Sequence, residues 1–253
     1  MDMKDMKVGV FVPCCVDQFA ATTEMNMLGL LKRAGLVCHY PAETTCCGKE
    51  LYHQGDRDAA KSLGEKMIDL FGDCTHIVSC GSACVTYMKV HFARLFHNTT
   101  LHNNYRQFVD STYDISDFLV NVVHYRPEGV RFPHKVAFMD HCTTLRDYRC
   151  VAHPDRPGLH DEPLQLLQAV EGLQLVEMEQ SDVCCGYGGL FANHFTPISD
   201  SLARRKAENA IAAGAEYIVS TEMSCLLHLQ SFIDKAGLPV KCIHIVDLLC
   251  YGE

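Results

Sequence analysis

The fold of this chain is decided by a stretch that occurs twice, as KVGVFVPC at residues 7–14 and as KVAFMDHC at residues 135–142. Each copy is followed by Cys-Cys-Gly, at residues 46–48 and at residues 184–186. Both copies then close with an IVS segment and a cysteine five residues beyond its serine. A pattern that recurs at about half the chain length indicates a duplicated structural unit.

The repeat separates eight cysteines that share equivalent positions from seven that do not. The first copy contributes Cys14, Cys46, Cys47 and Cys84, and the second contributes Cys142, Cys184, Cys185 and Cys225. Because these thiols recur as two matched sets of four, we expect each set to serve one site in its own half of the molecule.

Short apolar runs alternate with helical periodicity, which is typical of parallel sheets with crossover helices. The predicted strands are Val8–Val12, Leu36–Tyr40, His76–Ser79, Val136–Met139, Leu173–Glu177 and Tyr217–Ser220. The predicted helices lie near Thr22–Ala34, Asp56–Phe71, Pro163–Val170 and Ser199–Ala213. Each half closes on a similar segment, Asp114–Leu119 (DISDFL) and His244–Leu249 (HIVDLL). The sequence therefore predicts an α/β protein with two pseudo-repeated parallel-sheet halves, residues 1–131 and 132–253.

This arrangement predicts where the cysteines lie. Cys14 and Cys142 follow the first strand of their halves, and Cys84 and Cys225 follow a later strand. In open parallel sheets, ligand sites form outside the carboxyl ends of the strands. We therefore expect each Cys…Cys-Cys-Gly…Cys motif at the carboxyl edge of its sheet, with the glycine supplying a tight turn.

Composition narrows the class of protein. The net charge of −9 argues against a nucleic-acid-binding protein, and no apolar run is long enough to span a membrane. The N-terminus does not resemble a secretory signal, so we expect a cytoplasmic protein. Fifteen cysteines in a reducing compartment indicate metal or redox chemistry rather than a disulfide framework.

Four thiolates from three separated segments suit an iron–sulfur cluster, and they also suit tetrahedral zinc. The sequence contains no C-x2-C, the spacing that ferredoxins use, so a cluster would be held in a different way. Iron–sulfur is the favoured interpretation, and zinc remains the alternative.

At these motifs the chain resembles the cysteine-rich CCG domain family of iron–sulfur oxidoreductase subunits. The resemblance rests on FVPCCVDQF (residues 11–19), on residues 153–191 and on GAEYIVSTEMSCLLHL (residues 214–229). It implies that the eight matched cysteines are the ligands of one or two clusters, of the 4Fe-4S type. It further implies a share in oxidising the small hydroxy acid L-lactate to pyruvate, together with a ferredoxin-like iron–sulfur subunit and a third small subunit.

The chain departs from part of that family. Heterodisulfide reductases carry C-x-x-C at the end of each motif, whereas here Gly81 and Glu222 stand three residues before the last cysteine. Heterodisulfide chemistry is therefore disfavoured. Two alternatives remain open: a zinc-binding scaffold of a redox complex, and a dithiol reductase that uses Cys46–Cys47 or Cys184–Cys185.

The remaining candidates have simpler interpretations. Cys15 and Cys80 lie next to or near predicted ligands, but a supporting role for them is the less favoured interpretation. His141 is interpreted as a hydrogen-bonded loop histidine that could also tune a cluster. Buried or incidental thiols are predicted at Cys38, Cys74, Cys150, Cys242 and Cys250. The segment 153–163 could bind a small acid or form an ordered connection.

Overall fold

A computed structural model describes residues 5–148 and 161–252 of the chain. The first half contains four strands: β1 Val8–Phe11, β2 Cys38–His39, β3 His76–Ser79 and β4 Thr112–Asp114. Its helices are α1 Cys14–Phe19, α2 Ala21–Arg33, α3 Lys49–His53, α4 Arg57–Leu70, α5 Ser82–Phe96, α6 His102–Asp110 and α7 Ile115–Asp117, which continues into a π-helical turn Phe118–Val122.

The second half repeats this order. Its strands are β5 Lys135–Phe138, β6 Gln174–Leu175, β7 Tyr217–Ser220 and β8 Lys241–His244. Its helical segments are a π-helical turn Thr144–Tyr148 and the helices α8 Glu162–Gln168, α9 Phe191–His194, α10 Thr196–Ala212, α11 Met223–Ala236 and α12 Ile245–Leu249.

The strands form two four-stranded parallel sheets of equivalent order, β2-β1-β3-β4 and β6-β5-β7-β8. Val8 pairs with His76 in the first sheet, and Val136 pairs with Tyr217 in the second. The prediction of an α/β fold with two pseudo-repeated halves is therefore confirmed. The division of the chain at residues 131 and 132 remains a prediction.

The fourth strand of each sheet was not predicted. β4 and β8 read TYD and KCIH, which are too short and too polar to show the apolar run of a buried strand. The predicted second strands are shorter than expected, because only two residues of each pair with the neighbouring strand. These differences change the length of the sheets and leave their topology as predicted.

Helices of each half pack against the other half. The last helix of the second half packs on α2 of the first, and Asp247 accepts hydrogen bonds there from Thr23 Oγ1 at 2.7 Å and Asn26 Nδ2 at 2.8 Å. In the reciprocal contact, α7 packs on α8, and Asn121 Nδ2 donates to Glu162 Oε1 at 3.0 Å. One apolar core therefore includes buried residues from both sheets. Within the described ranges, no helix has the length and apolar character needed to cross a membrane.

Candidate metal centre

The first cysteine set lies at the carboxyl ends of β1 and β3. Cys14 opens α1 just beyond β1, and Cys84 lies in the first turn of α5 just beyond β3. Cys46 and Cys47 come from the loop that ends at Gly48, immediately before α3. Three separate segments thus deliver four thiols to one edge of the sheet.

Contacts between the sulfurs join this set. Cys14 Sγ lies 3.8 Å from Cys46 Sγ. Cys47 lies within hydrogen-bonding reach of both Cys46 and Cys84. The four thiols therefore form one connected group, as the repeat predicted.

The second set has the same arrangement. Cys142 Sγ lies 4.0 Å from Cys184 Sγ, and Cys185 lies within hydrogen-bonding reach of Cys184 and Cys225. Cys225 occupies the first turn of α11, as Cys84 does in α5. The two sets are therefore equivalent in the identity, order and connection of their thiols.

The glycine of each Cys-Cys-Gly has a specific role. Gly48 has φ +87° and Gly186 has φ +95°, a left-handed conformation that a side chain would strain. A Cβ on Gly186 would also lie 2.5 Å from the carbonyl oxygen of Ser199. The turn directs the N–H of each glycine to the first thiol of its pair, at 3.4 Å from Cys46 Sγ and from Cys184 Sγ.

In each set, the first sulfur of the Cys-Cys pair has the most strongly lowered pKa. The neighbouring thiols of Cys14 and Cys47 donate to Cys46 and lower its pKa to about 2. The thiols of Cys142 and Cys185 likewise lower the pKa of Cys184 to about 2. Because the thiolate is the form that binds metals, this environment suits a metal ligand.

The chemistry of the donor set fits an iron–sulfur cluster, because such clusters are held by four cysteine thiolates. It also fits zinc, which structural sites commonly bind through four cysteines. As the side chains stand, no three His, Cys, Asp or Glu residues of the described part of the chain converge on a single ion position.

Glu222 joins the two sets, and sequence reasoning did not identify this role. Its Oε2 accepts a hydrogen bond from the backbone N–H of Ala83 in the first half at 2.9 Å. Its Oε1 accepts from the hydroxyl of Ser224 in its own half at 2.6 Å. Ala83 directly precedes Cys84 and Ser224 directly precedes Cys225, so one carboxylate holds the starts of both helices that carry a predicted ligand.

The carboxylate of Glu222 is almost fully buried and is balanced by cations. Burial alone would raise its pKa, but the positive charges of His141 and Lys49 lower it. Burial alone would lower the pKa of His141, but the negative charge of Cys225 beside it raises that pKa. His141 is thus a buried histidine beside a predicted ligand, and its hydrogen-bonded state remains a prediction. Lys49 is a second residue that sequence reasoning missed.

The other cysteines have different surroundings. Cys15 is half-buried beside the first set, and burial raises its pKa to about 11. Cys80 is fully buried, and its carbonyl accepts a hydrogen bond from His244 Nε2 at 3.0 Å. Cys74 and Cys250 are buried, whereas Cys38 and Cys242 are only partly buried in strands β2 and β8. Cys150 and residues 153–160 of the candidate connection lie outside the described residues.

Two segments of the chain, residues 8–89 and 136–230, match the model of the cysteine-rich domain CCG. Each segment spans one complete cysteine set. The chain belongs to the CCG cysteine-rich domain family.

Curated relatives in this comparison match over nearly the full chain. "Lactate utilization protein A" of Halalkalibacterium halodurans is 29% identical over 248 residues, which cover 98% of both proteins. "Lactate utilization protein A 1" of Bacillus cereus strain AH820 is 31% identical and covers 96% of this chain and 98% of its own. The CCG chain described here is therefore similar to these proteins in length as well as in sequence.

Among solved structures, a putative Asp/Glu racemase from Yersinia pestis aligns over 96% of both chains with a TM-score of 0.41 and 10% identity. Glutamate racemase from Francisella tularensis aligns over 96% of this chain and 78% of its own, with a TM-score of 0.35 and 13% identity. Likeness at this level supports no statement about activity.

Proposed function

We propose that this chain is an iron–sulfur subunit of a cytoplasmic, lactate-oxidising complex. The observation that carries the proposal is the pair of equivalent four-thiol sets, each at the carboxyl edge of a parallel sheet, in a chain whose full-length relatives are named for lactate utilization. Each set would hold one cluster, of the 4Fe-4S type, through its four thiolates.

Such clusters transfer single electrons, and this is the chemistry that a bound cluster would supply here. The residues of the chain would fix the ligands and set their charge. The neighbouring thiols, with the glycine N–H groups, hold Cys46 and Cys184 as thiolates, and Glu222 aligns the helices that carry the last cysteine of each set. The two sites would therefore load and function as parts of one rigid unit.

The proposed reaction removes two electrons from L-lactate to give pyruvate, and it does not use a nicotinamide cofactor. The glycine-rich run at Gly186–Gly189 lacks the third glycine of a dinucleotide fingerprint, because Phe191 stands in that position. Electrons would pass to a ferredoxin-like iron–sulfur subunit, with a third small subunit completing the complex.

Reconstitution tests this function. The chain purified alone under anaerobic conditions is expected to show negligible lactate-dependent dye reduction, and activity should appear when the ferredoxin-like and third subunits are added. A Cys47→Ser variant added in the same way should fail, whereas Cys242→Ala should support activity. Robust lactate oxidation by the isolated chain, with dye or with NAD, would contradict the subunit role.

The zinc scaffold gives a different result. A scaffold would be colourless, would contain stoichiometric zinc and would support the complex without taking up electrons. Reduction of the reconstituted complex by lactate, followed by electron paramagnetic resonance of this chain, separates the two. A dithiol reductase would retain activity after metal removal and would lose it on alkylation of Cys46 or Cys184.

A further inference from the structure

A cavity of about 720 Å³ opens between the two halves beside the second cysteine set. Cys15 and Phe19 of α1 line one side, and Tyr187 and Leu190 from the loop after Gly186 line another. His228 of α11 completes the wall, one helical turn beyond Cys225. The volume lies in the range of cofactor and ligand sites, and it is far larger than a three-carbon acid requires.

The lining disfavours an anionic ligand. It contains no lysine or arginine among the described residues, and its one carboxylate is Glu50. The carboxylate of Glu50 lies 3.3 Å from the ammonium of Lys49, so the nearby lysine is already paired with a carboxylate of the same chain. Phe19 and Leu190 expose 75% and 42% of their surface, so the walls offer apolar area. An uncharged, largely apolar molecule suits this cavity better than lactate does.

A hydrogen-bond chain runs from the cavity toward the second set. The hydroxyl of Ser199 donates to the carbonyl of Gly186 at 2.8 Å, so its oxygen accepts from Nε2–H of His228 at 3.2 Å. The N–H of Gly186 in turn donates to Cys184 Sγ. This pairing leaves Nδ1 of His228 as an acceptor, with no partner among the described residues.

Burial lowers the pKa of His228, which keeps the ring neutral and supports the acceptor role. The ligand would therefore need to bring a hydroxyl group to this nitrogen. Asn193 of α9 and Ser231 of α11 add polar groups to the same cavity for a second oxygen. A ligand that fits these groups is largely apolar and carries oxygen atoms that can form hydrogen bonds.

The first half lacks this arrangement. Tyr87 stands three residues after Cys84, where His228 stands after Cys225, and Ala60 packs on Gly48 as Ser199 packs on Gly186. Tyr87 is buried against Tyr52, with ring centroids 5.4 Å apart. Tyr52 occupies the position of Leu190 in the repeat, so two buried rings occupy the positions that face the cavity in the second half. The cavity and its histidine thus belong to one half only.

We propose that this cavity binds an uncharged aromatic compound of the quinone class, whose hydroxyl in the reduced form donates to Nδ1 of His228. The binding depends only on the cavity, while its use as an electron acceptor rests on the proposed function. Oxidation of the hydroxyl-bearing carbon of a 2-hydroxy acid to a ketone releases two electrons and two protons. Reduction of the two ring carbonyls to hydroxyls takes up the same two electrons and two protons.

The test is an anaerobic calorimetric titration of the full chain, with its metal centres intact, using duroquinone and its reduced form. All ring positions of this probe are methylated, which prevents addition of the Cys15 thiol. The reduced form should bind about tenfold more tightly than the oxidised form, because only it supplies the hydroxyl donor. His228→Leu should remove that difference, and Ser199→Ala should reduce it by releasing the histidine ring.

Two further variants serve as controls. Ala192→Trp fills the cavity without touching a predicted ligand and should abolish binding of both forms. Tyr87→Phe alters the equivalent position of the first half and should leave both affinities unchanged. Binding that survives Ala192→Trp, or equal affinity of both forms in the wild-type chain, would overturn the proposal, and so would displacement of the probe by lactate. A zinc-containing chain that binds the probe as predicted would refute the proposed function and leave this site standing.

Discussion

The two halves of the molecule carry matching sets of predicted ligand cysteines in different surroundings. The Sγ atoms of Cys14 and Cys46 lie 3.8 Å apart, and those of Cys142 and Cys184 lie 4.0 Å apart. In each half, the N–H of the glycine that follows the cysteine pair donates to the first thiol of the pair. The position three residues before the last cysteine differs, since it is Gly81 in the first half and Glu222 in the second. The duplicated unit has thus kept the thiols and changed what surrounds them.

Close packing explains the asymmetry. A Cβ on Gly81 would lie 2.4 Å from Cγ of Pro13, so no side chain fits in the first half. The Glu222 side chain reaches from the second half to the N–H of Ala83 in the first, and the Ser82 hydroxyl accepts from Thr221 Oγ1 at 3.0 Å beside it. The two cysteine sets are therefore equivalent in their thiols, and the loops that hold them support each other across the halves.

The largest effect is expected from loss of a single ligand. Cys47→Ser should remove the centre of the first half, and Cys185→Ser that of the second, each lowering iron and sulfide by about half, because four thiolates are required per cluster. Metal analysis with electron paramagnetic resonance checks this. Cys242→Ala, which changes a thiol outside both sets, should leave the metal content unchanged. Equal losses in all three variants would refute the ligand assignment.

Removal of Glu222 should affect both halves. Glu222→Ala removes the buried carboxylate that offsets the charges of His141 and Lys49, and it leaves the N–H of Ala83 and the hydroxyl of Ser224 without their acceptor. Loss of hydrogen bonds to a buried charged acceptor costs about 2 kcal/mol of unfolding free energy. Urea denaturation of the metal-free chain measures this cost. Hydrogen exchange should rise at the amides of both Ala83 and Ser224.

A matched control is Glu65→Ala, which removes an exposed carboxylate 3.9 Å from Lys61. It should change the unfolding free energy by less than about 0.5 kcal/mol. Faster exchange confined to Ser224 in the Glu222→Ala variant would show that the halves are supported independently.

Substitution of the glycine after each cysteine pair should have a smaller effect on stability, and the effect should differ between the two halves. Gly186→Ala places Cβ 2.5 Å from a backbone oxygen, whereas in Gly48→Ala the nearest backbone oxygen is 3.2 Å away. We expect about 2 kcal/mol of destabilisation for Gly186→Ala and about 1 kcal/mol for Gly48→Ala, since both residues have positive φ. Thermal unfolding of the two variants measures the difference. The reverse order would mean that the second turn is the more adaptable one.

The smallest difference between the halves is expected in thiol reactivity, because the first cysteine of each pair should react in the same way. The pKa values of Cys46 and Cys184 are lowered to about 2, so both are thiolates throughout the neutral range and lose their charge only in strong acid. In the metal-free chain at pH 6, these two should react with iodoacetamide before the buried Cys47 and Cys185. Mass spectrometry of the alkylated peptides gives the order. Preferential labelling of Cys47 or Cys185 would contradict the hydrogen-bond pattern.

Much of this arrangement could be predicted from the sequence, because the repeat itself carries the information. The spacing of KVGVFVPC and KVAFMDHC fixes the first strand of each sheet and the cysteine that follows it. The left-handed turn at Gly48 also follows from its position after two cysteines and before a helix. These features are local, and local backbone preferences determine them.

The long-range side-chain contacts could not be predicted in this way. Glu222 reaches Ala83 across 139 positions, and His228 reaches Ser199 across 29, which no periodicity encodes. Alignment of the two copies of the repeated unit could have found these residues. A position at which the copies differ indicates that the surroundings of that residue have changed. Glu222 against Gly81 and His228 against Tyr87 are two such breaks.

The central claim, that each half holds an iron–sulfur centre on its four cysteines, is tested most directly by metal and sulfide analysis of the anaerobically purified chain together with electron paramagnetic resonance. The account predicts a brown protein with iron and acid-labile sulfide in equal amounts, about eight of each per chain for two 4Fe-4S centres. Cys47→Ser and Cys185→Ser should each remove a different part of the resonance spectrum of the reduced protein. A colourless chain with stoichiometric zinc and no labile sulfide would contradict the claim.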